Sequence, residues 1–221
     1  MSFAVERALC RCRSVQQAID EIVRLPRSGG ALLMLGDNSG HLAALELSAE
    51  HHAVRRPNGE HILFHSNAYR TERMQQYEIP RNSIYSAQAP HSLRHQPVYQ
   101  SALAREYRVQ ELVEQLGSID EESLTAMMAD HEEHSLAIQG KAFQDLEAGD
   151  QESATGSSAR PKRQGSVGEG RAPEGQGTAN TICIHGEYWS TMAAVQLYPH
   201  SRRLRIAYGP ACQAGYYDFA L

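Results

Sequence analysis

Two apolar runs, residues 31–35 and 41–48, flank Gly36-Asp37-Asn38-Ser39-Gly40, a string of residues that accept the turn conformations most side chains avoid. A reversal there lays the two runs side by side and antiparallel. Pro57-Asn58-Gly59 offers a second reversal, with Val54 before it and Ile62, Leu63 and Phe64 after it. Three or four antiparallel strands are therefore expected from turn chemistry as well as from apolar content.

Helices flank this region. Ser14 with Gln17 three residues later reads as a capping box, and Val15, Ala18, Ile19, Ile22 and Val23 recur at helical spacing up to Pro26. The arginines that precede them imitate a targeting sequence, but Glu6 interrupts the run, and a folded helix is expected. Between Pro90 and His131, Val98, Ala102, Tyr107, Val109, Leu112, Val113 and Leu116 suit one helix. Leu124, Met127 and Met128 suit the next, with Ser118 and Glu121 as its capping box. Residues 181–184, 190–198 and 203–208 read as strands, the second with Thr191, Ala193, Val195 and Leu197 alternating, and with a turn at His200-Ser201.

Residues 149–177 are nearly devoid of large apolar side chains and rich in Gly, Ser, Gln, Glu, Arg and Pro, too little to offset the entropy of ordering. The expectation is one α+β domain formed by residues 1–148 and 179–221, with antiparallel sheets, flanking helices and a disordered insertion or linker over 149–178.

A chain of 221 residues that is 41% hydrophobic can bury one sizeable core. A formal charge of −5 and dispersed arginines give no electrostatic reason to expect nucleic acid. No apolar run approaches the roughly 20 residues that cross a bilayer, so a soluble, cytoplasmic protein without membrane partners is expected. Cys10, Cys12, Cys183 and Cys212 lack the paired spacing of a secreted scaffold and read as thiols in a reducing compartment.

Asn67 closes the segment Ile62-Leu63-Phe64-His65-Ser66-Asn67. A carboxamide at a strand mouth can donate to a developing oxyanion, although Asn also ends strands simply as a turn former. The order of residues 29–48, 54–60 and 64–67 resembles the linear amide C–N hydrolases. These include the acyl-CoA:6-aminopenicillanic acid acyltransferases, peptidase C45-type N-terminal-nucleophile hydrolases, with a strand, an Asp-x-Ser-Gly turn, a strand bearing Glu, a hairpin and a His-Thr-Asn-His-like end. Asp130-His131, residues 191–195 and Ala207-Tyr208-Gly209-Pro210-Ala211-Cys212 continue the resemblance.

The resemblance implies a four-layer αββα sandwich, of which this chain is the carboxyl-terminal part, and an amidohydrolase or acyltransferase acting on a small-molecule amide or acyl-CoA. It puts Asn67 in the oxyanion hole, with His65, Ser66, Asp130 and His131 in support, and it calls for no cofactor. The family's nucleophile is an amino-terminal cysteine released by self-cleavage, its α-amine the general base, and no residue of this chain stands in that place. A Ser-Ile-Cys-Arg-like tetrad expected after Asp130-His131 is here Ala137-Ile138-Gln139-Gly140, without its arginine; Lys141 comes next. An ammonium is a poor substitute for a planar two-pronged donor, which points to a divergent branch, a different acyl substrate or lost activity. The alternative is a non-catalytic binding module of the same fold, whose open sheet edges favour self-association or a missing amino-terminal segment.

Metal chemistry is not expected. His131-Glu132-Glu133-His134 lacks the four-residue histidine spacing of zinc hydrolases and reads as a polar helix end. Cys183-x-His185 suits a metal pair or a nucleophile and its base, but alternate strand positions share a face for structural reasons as well, and Cys10 and Cys12, two apart, do not face each other along a helix.

Overall fold

The computed structural model describes residues 2–57, 62–133, 177–186 and 188–220. The start of the chain is two helices rather than one, α1 (Ser2–Arg11) and α2 (Val15–Arg24). Ser14 is extended, and its side chain accepts from the Gln17 amide, which begins a new helix. The Gln17 side chain returns to the Arg13 amide at 2.8 Å, one residue earlier than in a capping box.

The hairpin forms as expected. Strand β1 (Ala31–Gly36) pairs antiparallel with β2 (Leu42–Leu47), which pairs with β3 (His52–Arg55), so that Leu33, Leu45 and Val54 stand in register. That row, with Ala43 and Leu47, packs on Val15, Ile19 and Ile22 of α2. One side chain joins the helix to the hairpin. The Asp37 carboxylate accepts from the Val15 amide at 3.0 Å and, inside its own turn, from the Ser39 and His41 amides at 3.0 and 3.2 Å. The turn continues through Gly40 at φ 82°, a conformation that favours glycine.

The strand expected at residues 62–64 is not formed; only Ile62 makes a bridge, and residues 63–66 are irregular. In place of a ladder, Arg55 donates to the Phe64 carbonyl at 3.5 Å, and the Glu46 and Glu106 side chains hold His65 and Ser66. Asn58 and Gly59, in the expected second reversal, lie outside the described residues. The chain enters β3 through a turn at residues 48–51, where Ser48 and His51 exchange hydrogen bonds.

After the short α3 (Glu72–Gln75) come α4 (Gln100–Leu116) and α5 (Glu121–Met128). The cap of α5 is Asp120, not Ser118: Asp120 accepts from the Ser123 amide, and the Ser123 hydroxyl accepts from the Asp120 amide, both at 2.8 Å. Helix α4 buries Ala102, Leu103, Ala104, Glu106 and Arg108, while the Val109, Leu112 and Val113 face is half-buried.

A second antiparallel sheet has the order β4 (Ala193–Tyr198), β5 (Arg203–Tyr208), β6 (Tyr216–Ala220). Residues 181–184 are bends rather than a strand, with one bridge between His185 and Ser190. In β4 the apolar series of the sequence points outward, with Leu197 65% exposed, and Ala194 and Gln196 point inward. Helix α5 decides this, because Gln196 donates to the Thr125 hydroxyl at 2.9 Å on that side. The architecture is mixed helix and antiparallel sheet. Most of the expected insertion over 149–178 lies outside the described residues; Gly177 and Thr178 are described, and Thr178 donates to Thr181. No described helix is long and apolar enough to cross a membrane.

Asp37→Ala should cost about 1 kcal/mol in urea denaturation, the usual loss for a helix-terminal acceptor. Hydrogen bonds led by the one from Val15 hold the Asp37 carboxyl below its ordinary value. Its stabilisation is therefore present above the unfolded-state value and lost as pH falls through the folded-state one. The gap between wild type and variant should shrink in acid; a gap independent of pH would contradict the assignment.

Candidate active-site loop

Glu46 is the one carboxylate in the apolar strand β2, and it is fully buried. Burial pushes its carboxyl up, but four donors outweigh that effect and bring its pKa down to about 2. His65 Nε2 lies 3.0 Å from Oε1, the Arg70 amide donates to Oε1 at 2.7 Å, and Thr71 donates to Oε2 through its hydroxyl at 2.6 Å and its amide at 3.2 Å. Residues 65–71 are thus lashed to the sheet from beneath.

Helix α4 holds the same loop from the other side. Ser66 donates to Glu106 Oε2 at 2.7 Å, and the Arg70 guanidinium lies 3.0 Å from Glu106 Oε1. His65 has its second ring nitrogen 2.8 Å from the Ser66 carbonyl oxygen, so both nitrogens are engaged and the ring fixes the loop. Ala68 and Tyr69 are buried, and the Tyr69 hydroxyl donates to the Leu47 carbonyl. Gly30 permits that approach, since a Cβ there would meet the hydroxyl oxygen at 2.7 Å.

Between these anchored residues Asn67 alone is exposed. Its Oδ1 accepts from Arg105 of α4 at 3.0 Å. A guanidinium only donates, so the amide oxygen must face it and the Asn67 NH2 group is left directed elsewhere as a donor. Burial pushes the Arg105 pKa down from its ordinary value, which for an arginine leaves the charge in place. The arrangement is a fixed N–H donor at an exposed crest, with its orientation set by a charged neighbour.

A model of the acyl-coenzyme A:6-aminopenicillanic acid acyl-transferase family matches residues 1–148, about two thirds of the chain and all of this loop with its anchors. The chain belongs to this family. No curated protein matches it. The family is one of acyltransferases and amidohydrolases that act on small molecules.

Asp130, His131, Cys183, His185 and Cys212, also singled out in the sequence, gather with one another in this acyltransferase-family chain. Asp130 is held by Arg108 of α4 in a two-pronged pair, with contacts of 3.0 and 2.8 Å, and its carbonyl accepts from the Cys183 amide at 3.0 Å. The Asp130 hydrogen bonds push the Arg108 pKa up. His131 comes next, beside His185 with ring centroids 5.0 Å apart, and with Cys183 and Cys212 these form one cluster whose four ligand-type atoms lie within 4.8 Å of one another. Among the described residues no hydrogen bond or ion pair joins Asp130 or His131 to Asn67, although Arg108, which holds Asp130, lies one turn of α4 beyond Arg105, which holds Asn67. His134 and residues 137–141 lie outside the described residues.

Sequence reasoning missed Glu46, Glu106 and Arg105 as the supports of Asn67. The available signal was local: a lone Glu in the run Leu42-Ala43-Ala44-Leu45-Glu46-Leu47, and a Glu on the buried face of α4 with Ala102 and Leu103. Glu46→Ala should cost about 3–5 kcal/mol, because it strands buried donors including the His65 ring. In the wild type this contribution is present above the ordinary carboxylate value and is lost as pH falls from about 4.5 towards about 2. Urea titrations near neutral pH and in acid measure both effects; a loss under about 1 kcal/mol at neutral pH would show that the loop does not depend on this carboxylate.

Proposed function

We propose that the chain is the carboxyl-terminal portion of a cysteine N-terminal-nucleophile amidohydrolase or acyltransferase acting on a linear amide or an acyl thioester, with Asn67 in its oxyanion hole. The observation that carries this reading is the Asn67 carboxamide: exposed, held at its oxygen by Arg105, and flanked by residues tied to Glu46 and Glu106. A donor that does not reorganise as charge develops is what stabilises a tetrahedral oxyanion.

In this proposal a cysteine upstream of residue 1, released by self-cleavage, supplies the thiolate, and its own α-amine takes the thiol proton. The thiolate attacks the carbonyl carbon, the C=O electron pair moves to oxygen, and the Asn67 NH2 donates to that oxygen. Collapse expels the amine or thiol with a proton, and water or an acceptor amine then takes the acyl group. His65 and Ser66 position the loop. The same proposal makes the two sheets the inner layers of an αββα sandwich.

A non-catalytic binding module is the second reading, and one observation favours it. Val195, Leu197, Tyr208, Tyr217 and Phe219 expose an apolar face of the second sheet, large enough to favour association of the chain with itself or with an amino-terminal segment. Size-exclusion chromatography separates the cases: a stable monodisperse monomer would count against association through this face.

The catalytic reading is tested in the enzyme that carries the nucleophile segment. Asn67→Ala should lower turnover by about 100- to 1000-fold, the usual loss for one oxyanion donor, with an unchanged thermal midpoint. Arg105→Ala, which releases the amide without removing it, should fall between that variant and wild type. Full activity in Asn67→Ala would reduce the residue to a turn former.

A further inference from the structure

Cys183, His185 and Cys212 meet within hydrogen-bonding range, with Sγ–Sγ 3.7 Å, Cys183 Sγ to His185 Nε2 3.5 Å and His185 Nε2 to Cys212 Sγ 3.1 Å. His131 completes the group. A tetrahedral zinc with bonds of about 2.3 Å to sulfur and about 2.0 Å to nitrogen separates its ligands by about 3.8 Å (S to S) and about 3.5 Å (S to N). The Sγ–Sγ and Cys183–His185 separations match those edges, the His185–Cys212 one is about 0.4 Å shorter, and the His131 ligand atom lies within 4.8 Å of the other three. A disulfide would need the sulfurs about 2 Å apart, so the two thiols are reduced.

The surroundings point the same way. Cys183 is fully buried and Cys212 nearly so, which denies either the access a nucleophile needs. Both ring nitrogens of His131 are shielded from solvent and lack a hydrogen-bond partner, a costly state for a polar ring that is not otherwise engaged. Gly177 lies against the cluster so closely that a Cβ would meet the Cys183 carbonyl and the His185 ring at 2.6 Å and the His131 ring at 3.1 Å. Backbone contacts fix the ligand-bearing segments: the Cys183 amide donates to the Asp130 carbonyl at 3.0 Å, and the buried Thr181 hydroxyl to the Cys183 carbonyl at 2.7 Å.

We propose that His131, Cys183, His185 and Cys212 form a structural zinc site. Two thiolates and two imidazoles are a soft set that suits zinc and disfavours the oxygen-seeking calcium and magnesium. Binding forms two Zn–S and two Zn–N bonds and releases the two thiol protons to solvent, so the buried site is neutral and its affinity falls in acid. Four protein ligands close the coordination sphere, which fits a clamp rather than a catalyst. The clamp joins the end of α5, the segment 177–186 and the turn between β5 and β6, and so ties the chain before residue 134 to the chain after residue 176. It does not rest on the acyl-transfer reading, because metal content is measured without substrate.

The test is metal analysis of the full chain, expressed with added zinc and purified without chelator. One zinc per chain is expected. Cys183→Ser and Cys212→Ser should each bind it at least about 10- to 100-fold more weakly, the loss that changes even beyond the ligands can cause, while Cys10→Ser and Cys12→Ser keep it. Because the ligand variants could fail to fold, the wild-type chain carries a second measurement. Cobalt(II) added after chelation should give thiolate-to-cobalt charge transfer and the ligand-field bands of a tetrahedral ion, and zinc should then suppress alkylation of Cys183 and Cys212. Zinc well below one per chain with no cobalt–thiolate band would overturn the proposal. So would zinc content untouched by both cysteine variants, or a Cys183–Cys212 disulfide in a peptide map of freshly alkylated protein.

Discussion

A single carboxylate, Glu46, holds together the part of this chain that carries Asn67. It sits in the middle strand of the first sheet, where an unpaired charge would be intolerable, and it is kept ionised by donors from residues 65–71. The dependence is mutual. Without the carboxylate, the His65 ring and the Thr71 amide lose their acceptor; without the loop, the carboxylate cannot stay charged in the core. Asn67 is held not by its own packing but by the cost of letting that pairing go.

The same arrangement recurs at other junctions. Asp37 leaves its turn to cap α2, Glu106 faces the loop of residues 65–71 from α4, and Arg108 reaches from α4 to Asp130 at the end of α5. Each buried or half-buried charge lies where two elements meet: Asp37 engages backbone amides, and Glu106 and Arg108 engage side chains. Apolar contact sets the helix against the sheet through Ile19, Ile22, Leu45 and Leu47, but it is non-directional. The charged contacts supply the direction, since a carboxylate with several donors tolerates few relative placements of the elements that carry them.

Turn chemistry and local spacing were legible without coordinates. The hairpin around Asp37, the cap at Ser14 and the strands at residues 193–198 and 203–208 arise from backbone preferences of a few adjacent residues, and those preferences act wherever the segment lies. Family membership was legible for a related reason: the order of short motifs from the hairpin to Asp130-His131 survives in a linear string. The sequence also drew attention to Asn67, because a bare carboxamide after an apolar run is a local feature.

Partnership across the chain was not legible. Residues 62–64 have the composition of a strand, yet His65 and Ser66, just beyond them, are tied by their side chains to Glu46 and to Glu106, the latter 40 residues from Ser66. In β4 alternation identified a strand but could not say which face is covered; α5 settled that by placing Thr125 against Gln196, leaving the more apolar face outward. Cys183-x-His185 was equally ambiguous, since two alternate residues share a side for any reason. The sequence by itself determined the local elements, the family and the position of Asn67. Only the tertiary structure decided what holds Asn67 and what meets at His131, Cys183, His185 and Cys212, because those contacts join residues far apart in the chain through geometry that no local preference encodes.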